Sequence, residues 1–180
     1  MLETRRLLLK FHTLENLEKM NRWNNDSILS YYDDDGPEDL EPIPIENTKK
    51  YIERIIKNDD DSIIRFGIHK KENDSLIGLC MIAFIDNYNK SCKFGITIGA
   101  KDQWGKGYGK EVLNEIVRYC FEELGMNRIG AEVYAFNERS IKMFEKMGFV
   151  KEGIIRQAVY KKNKFEDEYI YGLLKSEWKK

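Results

Sequence analysis

The chain has 180 residues, of which 42% are hydrophobic and 34% are charged, and its formal net charge is −1. This length and composition predict one folded domain over residues 1–180 and exclude a disordered or fibrous chain. The near-zero net charge argues against a nucleic-acid-binding protein, because it provides no overall basic field for phosphates.

The cysteine content and the lengths of the apolar runs indicate in which cellular compartment the protein is expected. Three cysteines without a Cys-x-x-Cys pair argue against a disulfide framework and against a zinc site. The apolar run in the amino-terminal segment MLETRRLLLKF is too short for a signal peptide. No run of about 18 apolar residues, the length of a membrane-spanning helix, follows it. We therefore expect a cytoplasmic protein without a metal ion and without a membrane partner.

The first half of the chain predicts a strand, two helices and an antiparallel meander. The segment YYDDDGPEDLEPIPI contains all three prolines of the chain and is predicted as a loop. Polar turns separate the three strand-like runs that follow the second helix, which favours antiparallel pairing. The predicted elements are a strand at 4–11, a helix at 13–24, the loop at 31–45, a helix at 46–57 and strands at 62–70, 75–85 and 91–100.

The second half of the chain predicts an alternation of helices and strands. Residues 107–124 place apolar side chains on one helical face, and Gly125 is predicted to end that helix. A strand at 128–136, a helix at 138–147 and two strands around the turn KKNK complete the chain. This order predicts an α/β (α+β) fold with a mixed sheet and at least one βαβ crossover.

Three glycines at every second position precede the long helix, in the stretch KDQWGKGYGK at 101–110. The backbone N–H groups at a helix start are unsatisfied, and the helix dipole adds positive charge there. Glycines allow phosphate oxygens to approach those N–H groups closely. The stretch therefore predicts a pyrophosphate cradle; the alternative is a tight strand-to-helix turn with solvated lysines. Its spacing matches neither G-x-G-x-x-G nor the P-loop pattern.

Two motifs in this chain resemble those of the GNAT acetyltransferase superfamily. The glycine loop resembles the coenzyme A motif Q/R-x-x-G-x-G/A, with Gly107 and Gly109 at its small positions and Trp104 in place of Gln or Arg. The segment NERSIKMFEKMGF at 137–149 resembles the superfamily signature N-x-x-S/A-x-x-x-Y/F-E-K-x-G-F. Trp104 and both ends of the chain are similar to the ribosomal-protein (Rim-type) N-acetyltransferase branch, so the resemblance covers essentially the whole chain.

The resemblance implies a fold, a reaction and a set of binding residues. The GNAT fold has a mostly antiparallel sheet of about seven strands with helices on both faces. The implied reaction transfers an acetyl group from acetyl-CoA to an amine by direct attack in a ternary complex, and homodimerisation is left open. A bulge within 94–99 would donate a backbone N–H to the thioester carbonyl. The implied coenzyme-binding residues are Ile96, Thr97, Ile98, Trp104, Gly105, Lys106, Gly107, Tyr108, Gly109, Asn137, Ser140 and Lys146.

The proton-transfer residues of the family are incompletely represented in this chain. Ser140 is expected to meet the leaving thiolate, with a backbone-satisfying serine as the alternative. Lys93 stands where relatives often carry Glu, and Phe144 stands where polyamine acetyltransferases usually carry Tyr. Glu132 or Tyr134 could replace the missing proton acceptor; the alternative for both is packing on a strand.

The acidic segment after residue 30 is expected to bind the acceptor. Its carboxylates would attract an ammonium group, and its tyrosines could stack on that group. Because carboxylates beside the reacting nitrogen would raise its pKa, they are expected to hold a distal charge. The alternative is a solvated loop. The candidate substrate-binding residues are Tyr31, Tyr32, Asp33, Asp34 and Asp35.

Three functions remain after the sequence is read. The leading one is an N-acetyltransferase of the Rim type, acting on a peptide N-terminus or a small amine, since a site without a strong base favours amines of low pKa. A polyamine acetyltransferase is the alternative that the acidic segment supports. A non-catalytic CoA-binding sensor is the third, and Lys93 and Phe144 keep it open.

Overall fold

A computed structural model of the chain describes residues 1–33, 41–57 and 60–179. Within them the helices are α1 (Leu17–Asn24), α2 (Ser27–Asp33), α3 (Ile45–Lys57), α4 (Tyr108–Glu122) and α5 (Glu138–Lys146). The strands are β1 (Leu2–Glu3), β2 (Leu7–Lys10), β3 (Ile64–Lys70), β4 (Leu76–Asp86), β5 (Ser91–Thr97), β6 (Arg128–Tyr134), β7 (Val150–Lys161) and β8 (Lys164–Leu174). Single 3-10 turns lie at Leu14–Asn16 and Lys101–Gln103.

The strands form one sheet in the order β1-β2-β3-β4-β5-β6-β8-β7. Strands β5 and β6 are parallel, and every other neighbouring pair is antiparallel. The expected mixed α/β sheet with one crossover, β5–α4–β6, is confirmed. The eighth strand, beyond the seven expected, is the two-residue β1 that pairs with β2.

Helices cover both faces of the sheet, as expected. Helix α4 buries the predicted apolar face, from Val112 to Phe121, in the main core with the strands. On the other side, Met20 of α1 and Ile52 of α3 form a second cluster with Leu76. The next residue of β4, Ile77, belongs to the main core. Adjacent residues of one strand therefore face the two helical layers.

The predicted loop at 31–45 is wrong at its start, because residues 31–33 end helix α2. This helix buries a single apolar side chain, Leu29, so its sequence carries no apolar stripe that would predict it. Asp34 and Asp35, two of the candidate acceptor-binding residues, lie outside the described residues.

Two glycines and one turn behave as the sequence predicted. Gly125 and Gly148 have φ angles of 67° and 86° after α4 and α5, the left-handed conformation that ends helices. In the β7–β8 hairpin, Lys162 and Asn163 have φ angles of 47° and 62°, so both central residues of this tight turn are left-handed.

The three cysteines form no disulfide bond. Cys80, Cys92 and Cys120 are buried as free thiols, and the sulfur atoms of the last two are 3.8 Å apart. In the described ranges no set of three His, Cys, Asp or Glu side chains is gathered around a metal-ion position. Over the same ranges, no helix combines the length and the apolar character required to cross a membrane.

Candidate active site

Helix α4 begins on two left-handed glycines. Gly105 and Gly107 have φ angles of 77° and 81°, which residues with a Cβ adopt only with strain. Gly107 is the N-cap residue of α4, and no side chain of the described residues caps the first turn. The first hydrogen bond of the helix runs from the Glu111 N–H to the Gly107 carbonyl oxygen. The N–H groups of the first turn are therefore available to an anion, and the helix dipole favours negative charge there.

Strands β5 and β6 separate beside this helix start. Among the described residues they pair only where 91–93 lie against 128–130. At the far end of β5, Thr97 pairs with Leu79 of β4. Continuing that antiparallel register would place residue 99 opposite Ile77, but the Ile77 carbonyl oxygen instead accepts from the Ala100 N–H, so the register has shifted by one residue. The shift lies at 97–100, which overlaps the end of the predicted bulge at 94–99. It turns the chain away from the sheet and leaves a gap between the two strands.

A cavity of about 700 Å³ occupies this gap. Its wall combines the end of β5, the glycine loop, the first two turns of α5 and one side of α2. The lining residues are Leu29, Tyr32, Asp33, Ile96, Thr97, Ile98, Gln103, Trp104, Gly105, Gly107, Tyr108, Gly109, Lys110, Phe136, Asn137, Glu138, Arg139, Ser140, Lys142 and Met143.

Most of the sequence-predicted site residues meet at this cavity. Ten of the twelve coenzyme-binding candidates line it, and so do Tyr32 and Asp33. Of the other two, Lys106 lies in the glycine loop with its ammonium group on the side-chain oxygen of Gln103, at 3.2 Å. Lys146 is the last residue of α5 and is not part of the cavity wall.

Trp104 connects the glycine loop to the end of β5. Its indole nitrogen donates to the carbonyl oxygen of Ile98 at 2.5 Å. The guanidinium carbon of Arg139 lies 4.3 Å from the centre of the Trp104 ring, a cation–π contact. A tryptophan at this position therefore fixes the loop against the strand and holds an arginine at the cavity wall.

Helix α5 starts at the cavity with Asn137 as its N-cap. The side-chain oxygen of Asn137 accepts a hydrogen bond from the Ser140 N–H at 3.2 Å, which satisfies one free donor of the first turn. The Ser140 hydroxyl has no hydrogen-bond partner among the described residues and lies on the cavity wall. It is therefore available to a ligand.

The other two candidates for proton transfer lie outside the cavity wall. The Glu132 carboxylate is 2.5 Å from the ammonium group of Lys93. Tyr134 is buried, with its ring 5.3 Å from that of Phe136. Phe144, at the position where polyamine acetyltransferases usually carry tyrosine, is buried between aromatic rings of the core. Glu132 is thus an exposed, ion-paired residue of β6, and Tyr134 is a buried residue at the end of the same strand.

Helix α2 brings the acceptor-site candidates to the opposite side of the cavity. The Thr97 hydroxyl donates to the Asp33 carboxylate at 2.5 Å, which connects α2 to the end of β5. The ring of Tyr31 stacks on Phe136 at 4.5 Å, and that of Tyr32 lies 6.2 Å from Trp104. Aromatic side chains therefore line this side, with one carboxylate at the strand end.

Sequence reasoning missed several residues of the wall. Glu138 pairs with Lys142 at 2.9 Å. Among the described residues no carboxylate pairs with Lys106, Lys110 or Arg139, so these three side chains make the surroundings of the glycine loop positive. The signal that could have found the α5 residues is the cap at Asn137, because the residues just after a cap surround the open helix start. Lys110 belongs to the predicted cradle stretch, and the missed residues are Leu29, Gln103, Phe136, Glu138, Arg139, Lys142 and Met143.

Comparison with known proteins agrees with the geometry. Residues 6–150 match the family model described as an acetyltransferase (GNAT) domain. Uncharacterized N-acetyltransferase YoaA of Bacillus subtilis (strain 168) is 32% identical over 176 residues, covering 97% of this chain and 96% of the relative. Putative ribosomal N-acetyltransferase YdaF of the same organism is 35% identical over 104 residues, 58% of this chain and 56% of the relative.

Proteins of Vibrio cholerae are also similar. The spermidine N(1)-acetyltransferase of serotype O1 is 26% identical over 155 residues, 86% of this chain and 84% of the relative. A crystal structure of the Vibrio cholerae spermidine N-acetyltransferase in complex with CoA and spermine superposes with a TM-score of 0.82 at 24% identity, covering 95% and 96% of the two chains. With the family match over most of its length, the chain belongs to the GNAT family and is an acetyltransferase enzyme.

Proposed function

We propose that the chain transfers the acetyl group of acetyl-CoA to a primary amine, with the α-amine of a peptide or protein as the leading acceptor. The observation that carries this proposal is the open start of α4 on the wall of the cavity between β5 and β6. One cavity thus offers the open helix start for the phosphates of the coenzyme and the gap beside β5 for its acyl arm.

The glycine loop and the nearby cations would hold the coenzyme. Left-handed Gly105 and Gly107 leave no Cβ to keep phosphate oxygens from the N–H groups of the first turn. Lys110 and Arg139 add positive charge at the same wall. Residues 96–98, at the end of β5, would flank the acyl arm and offer backbone N–H groups to the thioester oxygen.

Direct transfer requires a neutral amine and a protonated leaving group. The nitrogen lone pair attacks the carbonyl carbon, the C–S bond breaks, and its electron pair remains on sulfur, which takes up a proton. The Ser140 hydroxyl is proposed to relay that proton, giving its own proton to the sulfur while it takes one from water, because it faces the cavity without a protein partner among the described residues. The proton lost by the amine nitrogen passes to water.

The kind of amine follows from the cost of deprotonation. An α-amine with a pKa near 8 loses its proton at pH 7 for about 1 to 1.5 kcal/mol, whereas a lysine-like amine requires about 4 to 5 kcal/mol. Glu132 is paired with Lys93, and neither Glu132 nor Tyr134 lines the cavity. Because neither of these two proton-acceptor candidates lies on the described cavity wall, an amine that loses its proton easily is favoured, which supports an α-amine acceptor and the Rim-type hypothesis.

A polyamine is the second candidate acceptor. Asp33 lies on the cavity wall beside aromatic side chains, and this arrangement attracts an ammonium group. A relative named spermidine N(1)-acetyltransferase shares 26% of aligned residues with this chain. We rank this candidate second because Phe144 supplies no hydroxyl at the position where polyamine acetyltransferases usually carry tyrosine.

The acceptor is identified by measuring thiol release from acetyl-CoA between pH 6.5 and 9.5. Short peptides with free N-termini, the same peptides with blocked N-termini, spermidine and spermine serve as acceptors. We expect turnover on the free peptides, rising with pH as the α-amine loses its proton, and none on the blocked ones. Turnover on polyamines alone would replace the leading acceptor by the second. Absence of transfer to every amine would contradict the proposed function.

A further inference from the structure

The tip of the β7–β8 hairpin places a lysine on an aromatic ring next to the acceptor side of the cavity. The ammonium nitrogen of Lys162 is 4.0 Å from the centre of the Tyr31 ring. Lys162 and Asn163 form the left-handed turn of this hairpin. The backbone of Lys162 is therefore held by a tight turn, although 131 positions separate it from Tyr31 along the chain.

The Tyr31 ring has both a protein neighbour and a cation. It stacks on Phe136 at 4.5 Å with 28° between the ring planes, and Phe136 lines the cavity. Tyr32, the next residue of α2, also lines it. Tyr31 thus lies immediately behind the cavity wall, and Lys162 occupies the face on which an incoming ammonium group would stack.

A cation at this position acts on charged acceptors in two ways. It fills the aromatic face, and it repels a second positive charge nearby. An acceptor whose only amine enters the cavity avoids both effects, whereas a polyamine must bring its remaining charges past the hairpin.

We propose that Lys162 is a specificity-determining residue that occupies the cation-binding face of Tyr31 and selects against polycationic acceptors. This inference rests on the proposed function and deepens it, since it assigns the acceptor to amines without a second nearby cation. The presence of a carboxylate at Asp33 and the exclusion of polyamines are then compatible, because a lysine of the chain already occupies the neighbouring aromatic face.

Calorimetric titration with spermine tests the proposal without requiring turnover. Lys162→Gln removes the cation and is expected to raise spermine affinity about fivefold, the size of one cation–π contact. Lys162→Arg keeps the charge on the ring and is expected to bind spermine as the parent does. Lys151→Gln is the matched control, because the ammonium nitrogen of Lys151 also lies 4.0 Å from an aromatic ring, that of Tyr169. Lys151 belongs to β7 of the same hairpin and is not part of the cavity wall.

Measuring Lys162→Gln in a Tyr31→Leu variant separates the effect of the aromatic ring from the effect of the lysine charge. In a Tyr31→Leu chain, Lys162→Gln is expected to change spermine affinity by less than in the parent, because the stacking face is gone. Unchanged, weaker or undetectable spermine binding by Lys162→Gln would overturn the proposal, and so would an equal gain in Lys151→Gln. Transfer of acetyl groups to peptide amines is a separate readout, so its failure would contradict the proposed function and leave the binding comparison intact.

Discussion

At the scale of single residues, Arg6 connects the amino terminus to the glycine loop. Its Nε donates to the Glu111 carboxylate at 2.7 Å, and its Nη1 donates to the Lys106 carbonyl oxygen at 3.1 Å. Its guanidinium group also lies 4.3 Å from the centre of the Tyr108 ring. The Glu111 carboxylate accepts further bonds from the Thr4 hydroxyl and the Arg6 N–H. This network fixes the start of α4 in place.

Glu111→Gln is expected to destabilise the protein by about 1 to 2 kcal/mol at pH 7, because it removes charge-assisted hydrogen bonds from a largely buried carboxylate. Burial raises the pKa of the Glu111 carboxyl, but bonds from Thr4 and Arg6 outweigh burial and hold the pKa below its ordinary value. The stabilisation is therefore present above the unfolded pKa and is lost as pH falls through the folded one. Urea unfolding of parent and variant should differ at pH 7 and converge in acid.

An exposed ion pair is the control for this prediction. Glu138→Gln removes the partner of Lys142, where both side chains are mostly exposed, and is expected to change stability by less than about 0.5 kcal/mol. Equal losses from the two variants would show that the Glu111 network stabilises no more than a surface pair does.

The left-handed glycines around α4 offer a matched pair of substitutions. Gly107→Ala and Gly125→Ala both place a Cβ on a left-handed backbone, and at neither position would the Cβ meet another atom closer than 3.7 Å. Each is expected to destabilise the protein by about 1 to 2 kcal/mol. Only Gly107→Ala is expected to weaken CoA binding, about tenfold, since Gly107 alone of the two lies at the cradle. Calorimetry with CoA and thermal unfolding supply the two readouts; equal CoA affinities in both variants would contradict the cradle.

At the scale of elements, α4 is the helix on which both the core and the cradle depend. Ile116 is fully buried, so Ile116→Ala is expected to destabilise the protein by about 2 to 5 kcal/mol through lost contacts and a cavity. Asn114→Ala, on the exposed side of the same helix, should change stability by no more than about 0.5 kcal/mol. Chemical denaturation measures both, and comparable losses would refute the assignment of the core face.

Elements with their own local signals could be predicted from the sequence. A few neighbouring residues determine each of these features: the apolar face and glycine stop of α4, the Asn137 cap of α5 and the turn at 162–163. The glycine loop is equally local, and its resemblance to the coenzyme A motif implied six of the twelve coenzyme-binding candidates, those at 104–109. Local chemistry determines these features almost alone.

Features that depend on distant contacts could not be predicted. Helix α2 presents one buried apolar residue, Leu29, so its sequence looks like the loop that follows. The end of β5 at Thr97, three residues before the predicted end, follows from a register shift against β4. The Lys93–Glu132 pair and the Lys162–Tyr31 contact join separate strands and helices, and no local pattern encodes such pairs.

At the scale of the whole molecule, the site is formed by the parting of two parallel strands in an otherwise continuous sheet. The crossover helix α4 and the short helix α5 both start at that gap, and α2 closes it from the other side. All three cysteine thiols are buried away from the cavity wall. None of these thiols is placed to carry the acetyl group, which fits the proposed direct transfer between two substrates bound together in the cavity.

Initial rates with acetyl-CoA and a peptide α-amine varied together test this account most directly. Direct attack in a ternary complex predicts that plots of reciprocal rate against reciprocal substrate concentration intersect, because both substrates are bound before either product leaves. Parallel lines would indicate an acetylated enzyme intermediate. Such lines, or the absence of any acetyl transfer to an amine, would contradict the account.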